Sequence, residues 1–208
     1  MLCEDWFRIK CPSSILVVGP SNCGKTTFLK RLLTENLDLF EVRPSKIVYC
    51  YGSWQPTFEL LKKYGVEFHE GVPDEEFLKK KFGKVAEGGL LIMDDLMADG
   101  GDDKTVVKIF TQHSHHMNFV AFYLCQDLFP SGKYSRTISR NSQYIIVFKN
   151  PRDMTSIRNI MLQMYPTEWR HVLSTYNNAT ERMYGYFVFD LHRTKLQESV
   201  NGNVAETC

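Results

Sequence analysis

The sequence predicts an α/β fold with a mainly parallel central sheet and helices on both faces. Short apolar runs of strand length recur along the chain, at Ser14–Val18, Lys46–Tyr51, Leu90–Met93, Phe119–Cys125 and Tyr144–Phe148. Helical or looped crossovers separate these runs, which is the pattern of parallel strands. The first run is β-branched and continuous rather than alternating, as expected for a strand that is buried on both sides.

The remaining elements are predicted from apolar residues at helical spacing and from the Gly and Pro residues that mark the ends of helices and strands. A helix is expected to begin near Gly24, with further helices at Thr57–Tyr64, Thr105–His115, Ile157–Met164 and after Pro166, and a closing strand at Tyr184–Phe189. Residues 1–193 are therefore interpreted as one domain. The polar residues 194–208 are expected to form a disordered tail.

Composition excludes several classes of protein. The chain has 208 residues, 43% of them hydrophobic, and a formal net charge of +1, so one core is expected and no strong overall field attracts polyanions. No apolar run reaches the length of a membrane span, and the N-terminus lacks the pattern of a secretory signal. The six cysteines contain no C-x-x-C pair, so free thiols and an intracellular location are expected.

The clearest chemical signal is a phosphate-binding loop between the first strand and the helix that follows it. The segment fits G-x-x-x-x-G-K-[ST] at every fixed position, through Gly19, Pro20, Ser21, Asn22, Cys23, Gly24, Lys25 and Thr26, with Thr27 adjacent. Such a loop curls its backbone N–H groups around phosphates. Lys25 is expected to reach the β- and γ-phosphates and the Thr26 hydroxyl to bind Mg²⁺, which predicts ATP with magnesium as the ligand.

A pair of acids follows the strand at Leu90–Met93. Open parallel sheets bind ligands at the carboxyl ends of their strands, where Asp94 and Asp95 would lie. Asp94 is predicted to hold magnesium, and Asp95 to orient or deprotonate the attacking water. A helix cap or turn is the structural alternative for these two acids.

Two weaker signals follow the strand at Phe119–Cys125. The amide of Gln126 is placed to contact the γ-phosphate and the attacking water, although a plain loop residue fits the sequence almost as well. From Leu128 to Arg152 the chain has five basic residues and no acid. Arg136 or Arg140 could stabilise the charge on a nucleotide held by a neighbouring subunit, the alternative being a solvated basic face.

Three segments together resemble a known family. The segments GPSNCGKTTFLKRLL, LLIMDDLM and FYLCQDLFPSGKYSRTISRNSQYIIVFKNPRD are similar to the genome-packaging ATPases of the FtsK and HerA superfamily, in particular the poxvirus-like branch of Polinton (Maverick) elements and related DNA viruses. The likeness spans Ile9–Asp153. It implies a P-loop NTPase of the RecA-like, additional-strand type. In such a protein Lys25 and Thr26 would bind the nucleotide and magnesium, and Gln126 would be the polar sensor residue that follows the fourth strand.

The same resemblance implies partners and a cellular context. It implies a ring of identical subunits that pumps double-stranded DNA into a preformed capsid. The ring is expected to dock on a capsid or portal-like protein. It is expected in the nucleus or cytoplasm of the host cell, or attached to the virion. One departure concerns Asp95, because many members have Glu at that position. A small-molecule or nucleoside kinase and a non-hydrolysing nucleotide switch are the alternative functions.

Overall fold

The structure is a computed structural model that describes residues 7–83, 88–94, 96, 104–129 and 135–192. The predicted tail, 194–208, lies outside the described residues. So does Asp95, the second acid of the predicted pair.

The centre of the molecule is one seven-stranded sheet in the order β3-β2-β4-β5-β1-β6-β7. Its strands are β1 Ser13–Val18, β2 Lys46–Tyr51, β3 Val66–Glu70, β4 Gly89–Asp94, β5 Phe119–Cys125, β6 Tyr144–Phe148 and β7 Tyr186–Asp190. Every neighbouring pair is parallel except β6 and β7, which are antiparallel. The predicted α/β fold with a mainly parallel sheet is therefore confirmed.

Helices connect the strands and cover both faces of the sheet. They are α1 Lys25–Glu35, a 3₁₀ turn Leu37–Leu39, α2 Thr57–Lys62, α3 Glu75–Phe82, α4 Lys104–Lys108, a π-helical turn Ile109–His113, α5 Ser114–His116, α6 Ser135–Asn141, α7 Met154–Met164 and α8 Trp169–Ala179. In the part of the chain that the structure describes, no helix combines the length and the apolar character needed to cross a lipid bilayer.

Alternate residues of each central strand supply two separate cores. In β1, Leu16 and Val18 pack on the side of α3, α7 and α8, whereas Ile15 and Val17 pack on the side of α1 and α2. Every residue of β1, β4, β5 and β6 is buried. The backbone alternation of a strand thus explains why these runs are apolar throughout instead of at every second position.

The sequence missed one described strand, β3, and two described α-helices, α3 and α6. Strand β3 has the sequence VEFHE and is half-buried at the edge of the sheet, so charged residues interrupt the apolar pattern that would reveal it. The helix predicted at Thr105–His115 is real but contains the π-helical turn. The closing strand begins at Tyr186 rather than Tyr184, because Tyr184 has a positive φ of 62° and belongs to the preceding turn.

Candidate functional site

The carboxyl edge of the sheet brings together segments that are distant in sequence. The phosphate-loop segment follows β1, Asp94 ends β4, and Gln126 follows β5. These three strands are neighbours in the order β4-β5-β1 and run parallel, so all three ends meet at one edge. That edge is where open α/β sheets bind ligands.

The phosphate loop has the backbone that its glycines allow. Gly24 has a φ of 113°, and Asn22 has a φ of 63°. Both values lie in the left-handed region, where Gly is unstrained and Asn is tolerated better than most residues. At Gly19, an added Cβ would lie 2.6 Å from Cys23 Sγ and 2.7 Å from Phe148 Cβ. Only glycine therefore fits Gly19 without displacing the loop or β6.

The start of α1 presents backbone donors to this loop. The bond from the Phe28 N–H to the Gly24 carbonyl, at 2.8 Å, opens the helix, so the amides of Lys25, Thr26 and Thr27 precede the helical ladder. The N-cap is Gly24, which has no side chain to occupy these donors, and the first turn contains no acid. A helix start of this kind attracts anions through its amides and its dipole.

The ammonium of Lys25 lies within the loop. Its Nζ donates to the carbonyl of Gly19 and, at 3.0 Å, to the carbonyl of Pro20. These contacts hold the positive charge against the loop, and Lys25 lines the cleft together with Thr26 and Thr27 at the start of α1. A phosphate at this position would meet both a cation and oriented backbone donors.

Asp94 is held at the end of β4 by a buried tyrosine. Tyr49 Oη donates to Asp94 Oδ2 at 2.6 Å, and the two residues are 0% and 6% exposed. Burial, together with the neighbouring carboxylate, raises the pKa of Tyr49 well above its ordinary value. The phenol therefore remains a proton donor throughout the physiological range, and it fixes the orientation of the carboxylate.

Because the sequence predicts Asp94 to hold magnesium, we expect Tyr49→Phe to weaken magnesium use and to leave the predicted nucleotide contacts intact. The phenyl ring keeps the packing on Phe58 and Phe68, at 4.9 Å and 5.6 Å between centroids, but the hydrogen bond to Asp94 is lost. Loss of such an outer-shell partner typically costs about 10- to 100-fold in metal affinity or activity. A titration of ATPase rate against Mg²⁺ at fixed ATP measures the effect.

Tyr51→Phe is the matched control, because Tyr51 lies on the same strand and in the same aromatic cluster with Phe58 and Phe68. It should leave the Mg²⁺ dependence unchanged. A Tyr49→Phe protein that melts at a lower temperature yet has the wild-type Mg²⁺ dependence would show that the hydroxyl only stabilises the fold.

A cleft of about 810 Å³ joins most of the predicted site residues. The loop and the helix that follows it contribute Ser21, Asn22, Gly24, Lys25, Thr26 and Thr27, and the neighbouring strands contribute Asp94 and Gln126. Gly19, Pro20 and Cys23 build the loop behind this lining. The cleft therefore contains the predicted lysine, the predicted hydroxyl and the first predicted acid in one space.

The cleft also contains side chains that sequence analysis missed. They are Lys30, Gln55, Thr57, Leu124, Cys125 and Tyr184. Gln55 and Thr57 follow β2, whose carboxyl end lies at the same edge as that of β4. The rule that strand ends in a parallel sheet converge could have indicated them. No signal in the sequence indicated Tyr184, since it reaches the cleft from a turn near the opposite end of the chain.

The loop that contains Gln126 is fastened by a buried amide. Asn150, only 2% exposed, donates from Nδ2 to the Gln126 carbonyl at 3.5 Å, and its backbone N–H donates to Tyr176 Oη at 3.2 Å. Tyr176 in turn donates to the Phe148 carbonyl at 3.1 Å. The Gln126 backbone is thereby tied to the end of β6, while its side chain is exposed and faces the cleft.

Arg136 and Arg140 do not line the cleft of their own chain. Both are exposed on α6, and Lys149 and Arg152 are exposed after β6. None of these four cations forms an ion pair with the described residues. Lys133, which belongs to the same basic stretch, lies outside the described residues. Neither arginine of α6 is therefore placed in the cleft of its own chain.

The thiols near the cleft are protonated at neutral pH. Burial raises the pKa of Cys125 to about 12. Burial also raises the pKa of Cys23, which the Lys25 charge only partly offsets. A thiol is a nucleophile as its thiolate, so neither cysteine is suited to covalent catalysis.

The residues of the cleft fit ATP and magnesium. The backbone of Gly24 and the opening amides of α1 suit a phosphate chain, and Lys25 supplies a cation. The Thr26 hydroxyl and the Asp94 carboxylate line the same cleft. Oxygen ligands of this hard type are those that Mg²⁺ prefers, together with water and phosphate oxygens.

Together, the loop and the strand order define the class of fold. Strand β5 is inserted between β1, which precedes the phosphate loop, and β4, which ends in Asp94. This insertion is the additional strand of RecA-like P-loop NTPases. The chain therefore has an α/β P-loop NTPase fold of the RecA-like, additional-strand type.

Solved structures with a similar fold include viral packaging proteins. The DNA-packaging ATPase B204 of Sulfolobus turreted icosahedral virus has a TM-score of 0.55 and 11% identity, over 86% of this chain and 93% of that chain. The genome packaging NTPase B204 of Sulfolobus turreted icosahedral virus 2 has a TM-score of 0.54 with AMPPCP bound and 0.53 with ATP-gammaS bound, each at 14% identity. Those two comparisons cover 86% and 87% of this chain, and 93% of each matched chain. No protein-family model and no curated protein matches the sequence.

Proposed function

We propose that this chain is a magnesium-dependent ATPase that drives the translocation of double-stranded DNA, as in the packaging of a viral or Polinton-type genome. The observation that carries the proposal is the meeting of Lys25, Thr26 and Asp94 in one cleft at the carboxyl edge of the sheet. This arrangement suits a nucleoside triphosphate and its metal. The fold shared with packaging NTPases over 86% of the chain supports the packaging role.

Each residue would have a distinct part in hydrolysis. Lys25 and the opening amides of α1 would bind the β- and γ-phosphates and stabilise the charge that develops on them. Bound magnesium would supply a Lewis acid next to the phosphate oxygens, held by Thr26 and Asp94. Asp95 would orient a water or accept its proton as the water attacks the γ-phosphorus and the bond to ADP breaks. Gln126 would contact that water and the γ-phosphate.

A ring would bring a cation from one subunit to the cleft of the next. Helix α6 returns the chain from the carboxyl edge, where β5 ends, to the opposite edge, where β6 begins. Arg136 lies one turn before Arg140, about 6 Å along the helix axis toward the end of α6 that follows β5 in the chain. We therefore assign Arg136 ahead of Arg140 as the arginine that would reach a neighbour's γ-phosphate.

The exposed cations would also serve as contacts to nucleic acid. Arg140, Lys149 and Arg152 have no carboxylate partner among the described residues, so their charge is available to DNA phosphates. We further propose that the ring docks on a capsid or portal-like protein, in the nucleus or cytoplasm of the host cell or attached to the virion.

We expect duplex DNA to stimulate the ATPase rate, and salt to weaken the stimulation. The apparent affinity for DNA should fall linearly on a logarithmic scale as salt rises, because binding releases counterions. Arg136→Ala should lower the stimulated rate more than Arg140→Ala does. The assay measures phosphate release with and without duplex DNA over a range of protein concentrations, alongside the mass of the oligomer.

Three outcomes would overturn this proposal in different ways. Hydrolysis without any response to DNA, at concentrations where the oligomer forms, would leave an ATPase that is not a DNA motor. A monomer that transfers the γ-phosphate to a nucleoside instead of to water would indicate the kinase. Binding without turnover would indicate the nucleotide switch.

A further inference from the structure

A tyrosine from the last described turn packs directly on the phosphate loop. Tyr184 precedes β7, lines the cleft and is 44% exposed. A Cβ built on Gly24 would lie 2.6 Å from Tyr184 Cδ1 and 3.0 Å from its Cβ and Cγ. The side chain of Tyr184 therefore lies against the Gly24 backbone, and the residue as a whole remains partly exposed.

The backbone at this tyrosine has an uncommon conformation. Its φ of 62° is in the left-handed region, which residues with a Cβ seldom adopt. Among the described residues, only Asn22 and Asn118 are other non-glycine examples, and asparagine tolerates this region better. Residues held in disfavoured backbone conformations cluster at functional sites, so the conformation of Tyr184 indicates a functional role for its side chain.

Topology places Tyr184 on the side of the loop opposite the acid. Strands β5 and β4 lie on one side of β1, and β6 and β7 lie on the other. Because β7 is antiparallel and pairs Tyr186 with Phe148, it begins at the same edge at which the parallel strands end. A triphosphate in the loop with its terminal phosphate toward Asp94 would therefore extend its nucleoside toward β7 and Tyr184.

We propose that the Tyr184 ring is the stacking surface for the nucleobase of the bound nucleotide. This inference rests on the proposed nucleotide-binding function and assigns it a base-binding residue. An aromatic ring stacks on any base, because every base has a π-face, and Tyr184 lines the cleft while remaining 44% exposed. Lys30 and Thr27 line the same cleft from α1 and would flank the sugar and the base.

The test compares a ligand that has a base with one that has none. Isothermal titrations with Mg-ATP and with magnesium tripolyphosphate use wild type, Tyr184→Phe and Tyr184→Gly. Tyr184→Gly should raise the Kd for ATP by about 5- to 150-fold, as expected for one lost stacking contact, and leave the Kd for tripolyphosphate unchanged. Tyr184→Phe should bind both ligands like wild type.

The variants separate stacking from damage to the turn. Glycine suits a φ of 62°, so Tyr184→Gly removes the ring without straining the backbone. Met183→Ala is the control for the turn itself, because Met183 is 83% exposed and precedes the tyrosine. It should leave both affinities unchanged.

Three results would overturn the inference. An unchanged ATP affinity in Tyr184→Gly would mean that the ring does not contact the base. An equal loss for ATP and tripolyphosphate would mean that the ring only shapes the phosphate loop. A loss of ATP affinity in Tyr184→Phe as large as that in Tyr184→Gly would assign the effect to the hydroxyl. Wild-type protein that binds neither ligand would instead refute the nucleotide-binding function.

Discussion

Lys25→Ala should lower the ATPase rate by about 10²- to 10³-fold and weaken nucleotide binding. The expected size is that of removing one group that stabilises charge in the transition state. The ammonium lies inside the loop against the carbonyls of Gly19 and Pro20, so its charge is directed at the place where phosphates would bind. Alanine leaves the loop amides in place but supplies no cation. Phosphate release and nucleotide titration measure the two effects.

Arg31→Ala is the matched control for this prediction. Arg31 is an exposed cation on the same helix, and it is not among the residues that line the cleft. Its removal changes the net charge by the same amount, so a nonspecific loss of charge would affect both variants equally. Wild-type activity in Lys25→Ala would refute the assignment of this loop as the catalytic phosphate site.

Asp94→Asn should lower magnesium-dependent hydrolysis by roughly 10²-fold or more without lowering thermal stability. An amide oxygen is a weaker ligand for Mg²⁺ than a carboxylate, and metal binding is expected to contribute several kcal/mol to the stabilisation of the reacting phosphate. The asparagine carbonyl can still accept the hydrogen bond from Tyr49 Oη, so the packing is retained. Because burying a charged carboxylate is costly, its replacement by a neutral amide should leave the melting temperature close to that of the wild type.

Asp127→Asn is the matched control, because Asp127 is an exposed acid at the same edge of the sheet, shortly after β5. It should retain activity. Removal of Mg²⁺ with a chelator should bring the wild-type rate down to that of Asp94→Asn. Should Asp94→Asn show the wild-type rate and Mg²⁺ dependence, the metal would have to be held elsewhere and the proposed catalytic arrangement would fail.

The parts of the site that lie close together in sequence were predicted from it. The phosphate loop is one continuous segment in which each residue has a local reason, such as the positive φ of Gly24 and the helix start at Lys25. The buried strands were also predicted with nearly correct bounds. A strand that is buried on both faces is apolar at every position, and such a run is recognisable in the sequence. The phosphate-loop motif and the apolar runs can each be recognised from a few consecutive residues, without knowledge of how distant segments pack.

The parts that depend on separate segments could not be predicted in the same way. Tyr49 is 45 residues from Asp94 in sequence, and nothing in a strand of apolar residues reveals which hydroxyl will face a carboxylate. Gln55 and Thr57 reach the cleft only because β2 is placed next to β4. Strand β3 escaped detection because an edge strand is only half-buried and keeps its charged residues.

Motif spacing and hydrophobic pattern are local properties of the chain, and they were sufficient to predict the phosphate loop, the acid that ends β4 and an α/β fold with a mainly parallel sheet. Two relations depended on the complete fold: Tyr49 orients Asp94, and the turn before β7 returns Tyr184 to the loop. Those relations arise from the packing of distant strands, and no segment encodes them alone.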